Sequence, residues 1–117
     1  MLRIDAKTQN FTSVWFKVTI NGKESHSIID TGASAHNVIP LEIATELGLK
    51  PTFNGRSVTT IGKETVPISE PLTLDFEING YQQRQTFVVS DASFDFILMG
   101  MPFASTLTSV NFKNKTI

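Results

Sequence analysis

The chain contains no cysteine. Disulfides, thiol nucleophiles and thiolate metal sites are therefore excluded together, and the composition is compatible with a reducing compartment. Histidine is almost as scarce: His26 and His36 are the only two. With no thiol beside them, a His/Cys zinc centre cannot be assembled. No nucleophile motif accompanies either one, so both read as surface or partly buried side chains. Net charge is −1, which removes any general attraction to nucleic acid or to an anionic membrane. No apolar run approaches the length of a bilayer span. The opening residues, Met1-Leu2-Arg3-Ile4-Asp5, carry an acid too early for a secretory leader. A Gly-rich phosphate loop is missing as well. These absences set the expectations: no metal, no cofactor, no nucleic-acid or membrane partner, and a cytoplasmic setting, in the cytosol or an intracellular particle.

What is present is an ordinary globular composition, 40% apolar and 18% charged, in 117 residues. That length fits one domain, 1–117, with a modest core. It does not suffice for two lobes around a deep site. Residues 14–20 are β-branched and aromatic and read as a strand. Asn21-Gly22 is a two-residue hairpin turn, and 23–29 is the returning strand. Residues 34–38 are expected to be extended. Pro40 opens a helix over 40–49, with Glu42 at its positive end and Gly48 closing it. Residues 57–61 and 64–68 form a hairpin about Gly62-Lys63, small, polar and exposed. Residues 72–78 alternate apolar and polar, Asn79-Gly80 turns the chain, and 81–89 is the partner strand. The run 94–99 reads as a strand buried on both faces, 102–107 as a short helical turn, and 109–113 as a last strand. Seven or eight short strands with turns about every ten residues indicate an all-β fold, a small barrel or sandwich, with one embedded helix.

The stretch Ser27-Ile28-Ile29-Asp30-Thr31-Gly32-Ala33-Ser34 carries the chemistry. Two β-branched residues run into an acid at a strand end, and Thr31-Gly32 lets the backbone turn sharply. Taken alone, Asp30 fits an Asx-type turn bonded to its own downstream amides. It also fits an acid lifted from a buried strand, whose ionisation depends on its neighbours.

The order of parts resembles the retropepsin family, the aspartic proteases of retroviruses and retrotransposons and their cellular relatives. The likeness rests on Ile28-Ile29-Asp30-Thr31-Gly32-Ala33-Ser34, on the Gly62 hairpin at flap distance, and on Ile97-Leu98-Met99-Gly100. The segment 95–103, the run Val110-Asn111-Phe112-Lys113 and the helix after the Asp-Thr-Gly look most like the long-terminal-repeat, Ty3/gypsy-like branch. The resemblance implies a small closed β-barrel of acid-protease type, in which the strand ending at Gly100 helps cross the Asp30 loop. It also implies that Thr31 locks to its mate in a second subunit. Several retroviral members pair an acid four residues after the catalytic Asp with an Arg after the second Gly. Here those positions are Ser34 and Met101, so both halves of the pair are absent and no lone charge remains.

The chemistry left open is a water activated by two carboxylates that share a proton. One acts as base toward water and the other as acid toward the carbonyl oxygen. Asp5, Asp75, Asp91 and Asp95 lack the Thr/Ser-Gly that follows Asp30. The second carboxylate is therefore expected from a second Asp30, in a two-fold homodimer. Thr31, Gly32, Ala33 and Ser34 complete the active-site loop. The hairpin, with Ile61, Gly62 and Lys63 at its tip, would close as a flap over an extended polypeptide substrate. Ala33, Val38, Ile61 and Leu98 either line apolar subsites or pack as plain core. The expected activity is that of an aspartic endopeptidase processing a retroelement polyprotein that includes itself. The alternatives are a cellular retroviral-protease-like domain of narrow activity, and a non-catalytic β-barrel that dimerises or binds.

Overall fold

A computed structural model describes residues 13–30, 36–59, 63–92 and 94–106. Eight strands and two short helices follow in the order β1 (Ser13–Ile20), β2 (Lys23–Asp30), β3 (Asn37–Pro40), α1 (Leu41–Glu46), β4 (Phe53–Thr59), β5 (Thr65–Ser69), β6 (Leu72–Ile78), β7 (Tyr81–Ser90), β8 (Ile97–Met99) and α2 (Met101–Ala104). The strands are hydrogen-bonded in the order β3-β8-β2-β1-β6-β7-β5-β4, and β3 also pairs with β7. That extra pairing closes six strands into a barrel. β5 and β4 remain outside the ring as a hairpin that continues from β7.

Two tight turns set the register of the wall. Asn21 and Gly22 both have positive φ, 53° and 78°, and so do Asn79 and Gly80, 51° and 81°. Two consecutive left-handed residues make the turn whose twist matches a hairpin. β1 accordingly pairs with β2 residue for residue, from Ile20↔Lys23 to Ser13↔Asp30. β6 and β7 pair in the same way, from Ile78↔Tyr81 to Leu72↔Phe87.

The barrel is filled from every wall: Phe16, Val18 and Ile20 of β1, Ile29 of β2, Ile39 of β3, Phe76 and Ile78 of β6, Phe87 and Val89 of β7, Ile97 and Met99 of β8. Phe103 of α2 plugs the interior. Its ring stacks on Phe16 at 6.1 Å and lies 6.0 Å from Phe76, which meets Phe87 edge-on at 5.7 Å. Ser27 is buried in the same wall, and its hydroxyl has no hydrogen-bond partner among the described residues.

The helix after β3 is shorter than the 40–49 expected. Pro40 is extended, with ψ of 145°, and stands as the cap before the first turn. The reason is tertiary: Pro40 pairs with Ser90 as the last rung of β3 against β7. At the other end, Leu49 N–H donates to Ala44 O and Gly48 N–H to Thr45 O, with Gly48 at φ +78°. This paired closure ends the helix at Glu46. The last carbonyls are then taken by the distant β1–β2 turn: Asn21 Nδ2 donates to Leu47 O at 2.9 Å and Lys23 Nζ to Glu46 O at 2.7 Å.

Other boundaries also moved. Of the extended piece expected at 34–38, residues 34 and 35 lie outside the described residues, and the described part is a strand running from Asn37 to Pro40. The exposed hairpin begins at Phe53, with a register shift between Phe53 and Ser57 where Gly55 takes φ +78°. The run 94–99 is not one doubly buried strand. Only Ile97–Met99 is strand, and Leu98 is half-exposed. Phe94 and Phe96 instead meet at a tilt with ring centroids 5.0 Å apart, and Phe96 meets Trp15 edge-on at 5.3 Å, an aromatic contact that draws these residues out of the ladder. The helical turn expected at 102–107 is α2, one residue earlier at its start. The last expected strand, 109–113, lies outside the described residues.

Candidate active site

Asp30 is the final residue of β2 and is half-buried. Its strand is held on both sides. β1 runs antiparallel along one edge, with Val14↔Ile29 and Ser13↔Asp30. β8 runs parallel along the other, with Ser27↔Ile97, Ile28↔Leu98 and Ile29↔Met99. The β8 ladder stops one residue short of Gly100, so Gly100 and Asp30 leave the sheet at the same level. The loop that the strand ending at Gly100 was expected to cross lies outside the described residues.

Thr31, Gly32, Ala33 and Ser34 lie outside the described residues, and so do Ile61 and Gly62 at the hairpin tip. Lys63 is described: it is exposed, with a left-handed φ of 64°. Val38 and Leu98 are brought together directly as a β3–β8 pair. Both line a cavity of about 150 Å³. Val58 and Val66, a cross-strand pair of the hairpin, line the same cavity, together with Ile68, Val88, His36 and Phe94. The hairpin therefore contributes Val58, Val66 and Ile68 to the cavity, while Phe53 at its start is exposed.

The valines of the hairpin were missed in the sequence. A two-residue Gly62-Lys63 turn sets Val58 opposite Pro67, whereas the structure pairs Val58 with Val66. Asn37 was also missed. It is fully buried. Its Oδ1 accepts the Gly100 N–H at 3.0 Å, and its Nδ2 donates to Thr86 O at 3.1 Å and to Gln85 Oε1 at 3.2 Å. A polar residue at the head of a short strand gives no sign in sequence that it points inward. His36 is half-buried at the cavity, whereas His26 is exposed on β2.

Other charged pairs sit away from this place. On the outer face of β6 and β7, Arg84 Nε donates to Asp75 Oδ1 at 2.8 Å, and the guanidinium beside it holds the Asp75 carboxyl below its ordinary value. Lys17 faces Glu24, and Arg56 faces Glu70, both on the surface. Among the described residues no group of three His, Asp or Glu is gathered as a metal site, and no helix is long and apolar enough to cross a membrane.

A sequence model of the family described as aspartyl protease matches residues 16–103. No curated protein matches the chain in sequence. Several solved structures match in fold. A retropepsin-like aspartic protease from Rickettsia conorii superposes with a TM-score of 0.73 at 18% identity, over 98% of this chain and 94% of that one. The EIAV protease, complexed with the inhibitor HBY-793, does so with a TM-score of 0.69 at 16% identity, over 88% and 95%. The retroviral protease-like domain of Ddi1 from Leishmania major gives 0.65 at 18% identity, over 81% and 77%. At these identities the likeness is one of fold, and the fold is the retropepsin barrel.

Proposed function

The chain belongs to the aspartyl protease family, and from that premise we propose that it is an endopeptidase whose catalytic acid is Asp30, used in duplicate by a homodimer. The observation that carries this reading is the placement of Asp30 at the end of β2, a strand paired with β1 on one edge and, up to Ile29, with β8 on the other, in a chain with a single Asp-Thr-Gly. One such turn supplies one carboxylate. A two-fold axis between two copies supplies the second.

Two carboxyls brought close together across that axis share a proton, because both cannot ionise. The ionised Asp30 takes a proton from water as its oxygen attacks the peptide carbonyl carbon. The protonated Asp30 of the other subunit gives its proton to the carbonyl oxygen. The resulting diol collapses as one of its hydroxyls gives its proton to the second, now ionised, Asp30; the C–N bond breaks, and the nitrogen leaves with a proton returned by the first carboxyl. Thr31, Gly32, Ala33 and Ser34 form the loop that presents the acid. The hairpin of β4 and β5, with Ile61, Gly62 and Lys63 at its tip, acts as the flap. It closes over an extended polypeptide, with Val38 and Leu98 in the floor beneath it. The retroelement-like sequence around Asp30 and Gly100 supports a polyprotein as the natural substrate.

The test is cleavage of unstructured peptides from roughly pH 4 to pH 7, the range suited to a proton-sharing pair. Wild type is expected to cut between apolar residues, with activity falling faster than protein concentration on dilution. Asp30→Asn is expected to lose about 10³-fold or more. If wild type is a stable dimer by sedimentation and cuts nothing at any pH, the reading fails, and the barrel is a binding module.

A further inference from the structure

We infer that Asn37 is a positioning residue for the Asp30 carboxylate, acting through the backbone amide of Gly100. The inference rests on the reading of Asp30 as the catalytic acid. It goes beyond that reading by assigning a task to a side chain that is fully buried.

Asn37 is fully buried at the start of β3, and a buried carboxamide is costly unless its polar atoms are used. Here both ends are used, and in one orientation only. Gly100 N–H can only donate, so the atom facing it at 3.0 Å is Oδ1. Thr86 O can only accept, so the atom facing it at 3.1 Å is Nδ2. The side chain thus joins three places: its own strand, the middle of β7, and the junction of β8 with α2. That junction is tied from the other side too, because Gly100 O accepts from Phe103 N–H at 3.1 Å and Ala104 N–H at 3.0 Å.

Gly100 is the residue at the level of Asp30, one step beyond the Ile29↔Met99 rung. Asn37 is also the first strand residue after the turn that carries Asp30. The two ends of that turn are therefore anchored to one point: Asp30 through the pairing of β2 with β8, and residue 37 through its bond to the end of β8. If Asn37 releases Gly100, both anchors loosen together. A shift of about 1 Å in a reacting group costs on the order of 10²-fold in rate.

Two variants test this, Asn37→Leu and Asn37→Asp. Leucine keeps the shape and loses all three hydrogen bonds. A protonated aspartic acid keeps one acceptor for Gly100 and one donor for Thr86. An ionised one sets a second acceptor against the Thr86 carbonyl, and burial favours the protonated form. Two readouts are taken well below the unfolding temperature: kcat and KM on a peptide, and the titration of the Asp30 carboxyl followed by NMR. For Asn37→Leu, kcat is expected to fall about 10- to 100-fold with KM within about twofold of wild type, and the Asp30 titration is expected to move. Asn37→Asp is expected to match wild type in acid and to lose kcat as its own carboxyl ionises. Wild-type kcat and an unmoved Asp30 titration in folded Asn37→Leu overturn the inference. If Asn37→Leu does not fold, Asn37→Asp decides: an Asp30 titration and kcat equal to wild type on both sides of its own ionisation overturn it equally. If wild type cleaves no peptide, the protease reading fails, and the Asp30 titration alone still decides whether Asn37 holds the carboxyl in place.

Discussion

The β1–β2 hairpin and the β4–β5 hairpin have nearly the same ingredients and opposite fates. Each is two short β-branched strands around a turn with glycine. β2 sinks its second half into the barrel, with Ser27, Ile28 and Ile29 buried in succession. β4 keeps every residue exposed except Val58, which is half-buried, and Phe53 stands 41% exposed at its start. The difference is not propensity. β2 has a neighbour on each edge, β1 and β8, whereas β4 is the last strand of the sheet and pairs with β5 alone. A strand flanked on both sides can hold an acid in one place. A strand paired on one side opens at little cost. One chain thus builds a doubly paired strand that carries Asp30 and a singly paired edge strand from the same kind of element.

The contrast can be broken most forcefully in the barrel. Phe103→Ala removes the ring that packs on Phe16 and Phe76 and is expected to cost about 3–5 kcal/mol, measured by urea unfolding. Val58→Ala, on the hairpin, is expected to cost about 1 kcal/mol or less while raising KM for an extended peptide by roughly tenfold. A loss of stability equal to that of Phe103→Ala would make the hairpin part of the core and erase the distinction. The smallest effect belongs to the outer face of the barrel. Arg84 holds the Asp75 carboxyl below its ordinary value by a hydrogen bond first and charge second. A depressed folded-state value stabilises above the unfolded value, and that contribution disappears as pH falls through the folded one. Arg84→Ala is expected to return the NMR titration of Asp75 to the ordinary range and to leave unfolding at neutral pH almost unchanged, because both groups are exposed to solvent.

Much of this was open to reading in the sequence because the signals are local. The paired Asn-Gly turns at 21–22 and 79–80 mark two hairpins of the wall, and both register ladders follow from them. Asp30 at the end of an apolar strand is visible for the same reason. The departures are equally instructive. Pro40 suits a first helical turn, yet its pairing with Ser90 keeps it extended. Phe94 and Phe96 suit a buried strand, yet Trp15, some eighty residues earlier, draws them into an aromatic cluster. Asn21 and Lys23 read as turn residues, and only the folded chain reveals that they also cap α1. In each case the competing partner is distant in sequence, so no local pattern could weigh it.

The sequence by itself determined the alternation, the turns and the acid at the strand end, because these depend on residues two to four apart. The tertiary structure decided which strands close the ring, which hairpin is left outside it, and that Asn37 reaches Gly100 across 63 positions. Those outcomes depend on edges finding partners and on buried polar atoms finding bonds. Such requirements are settled only when the whole barrel closes.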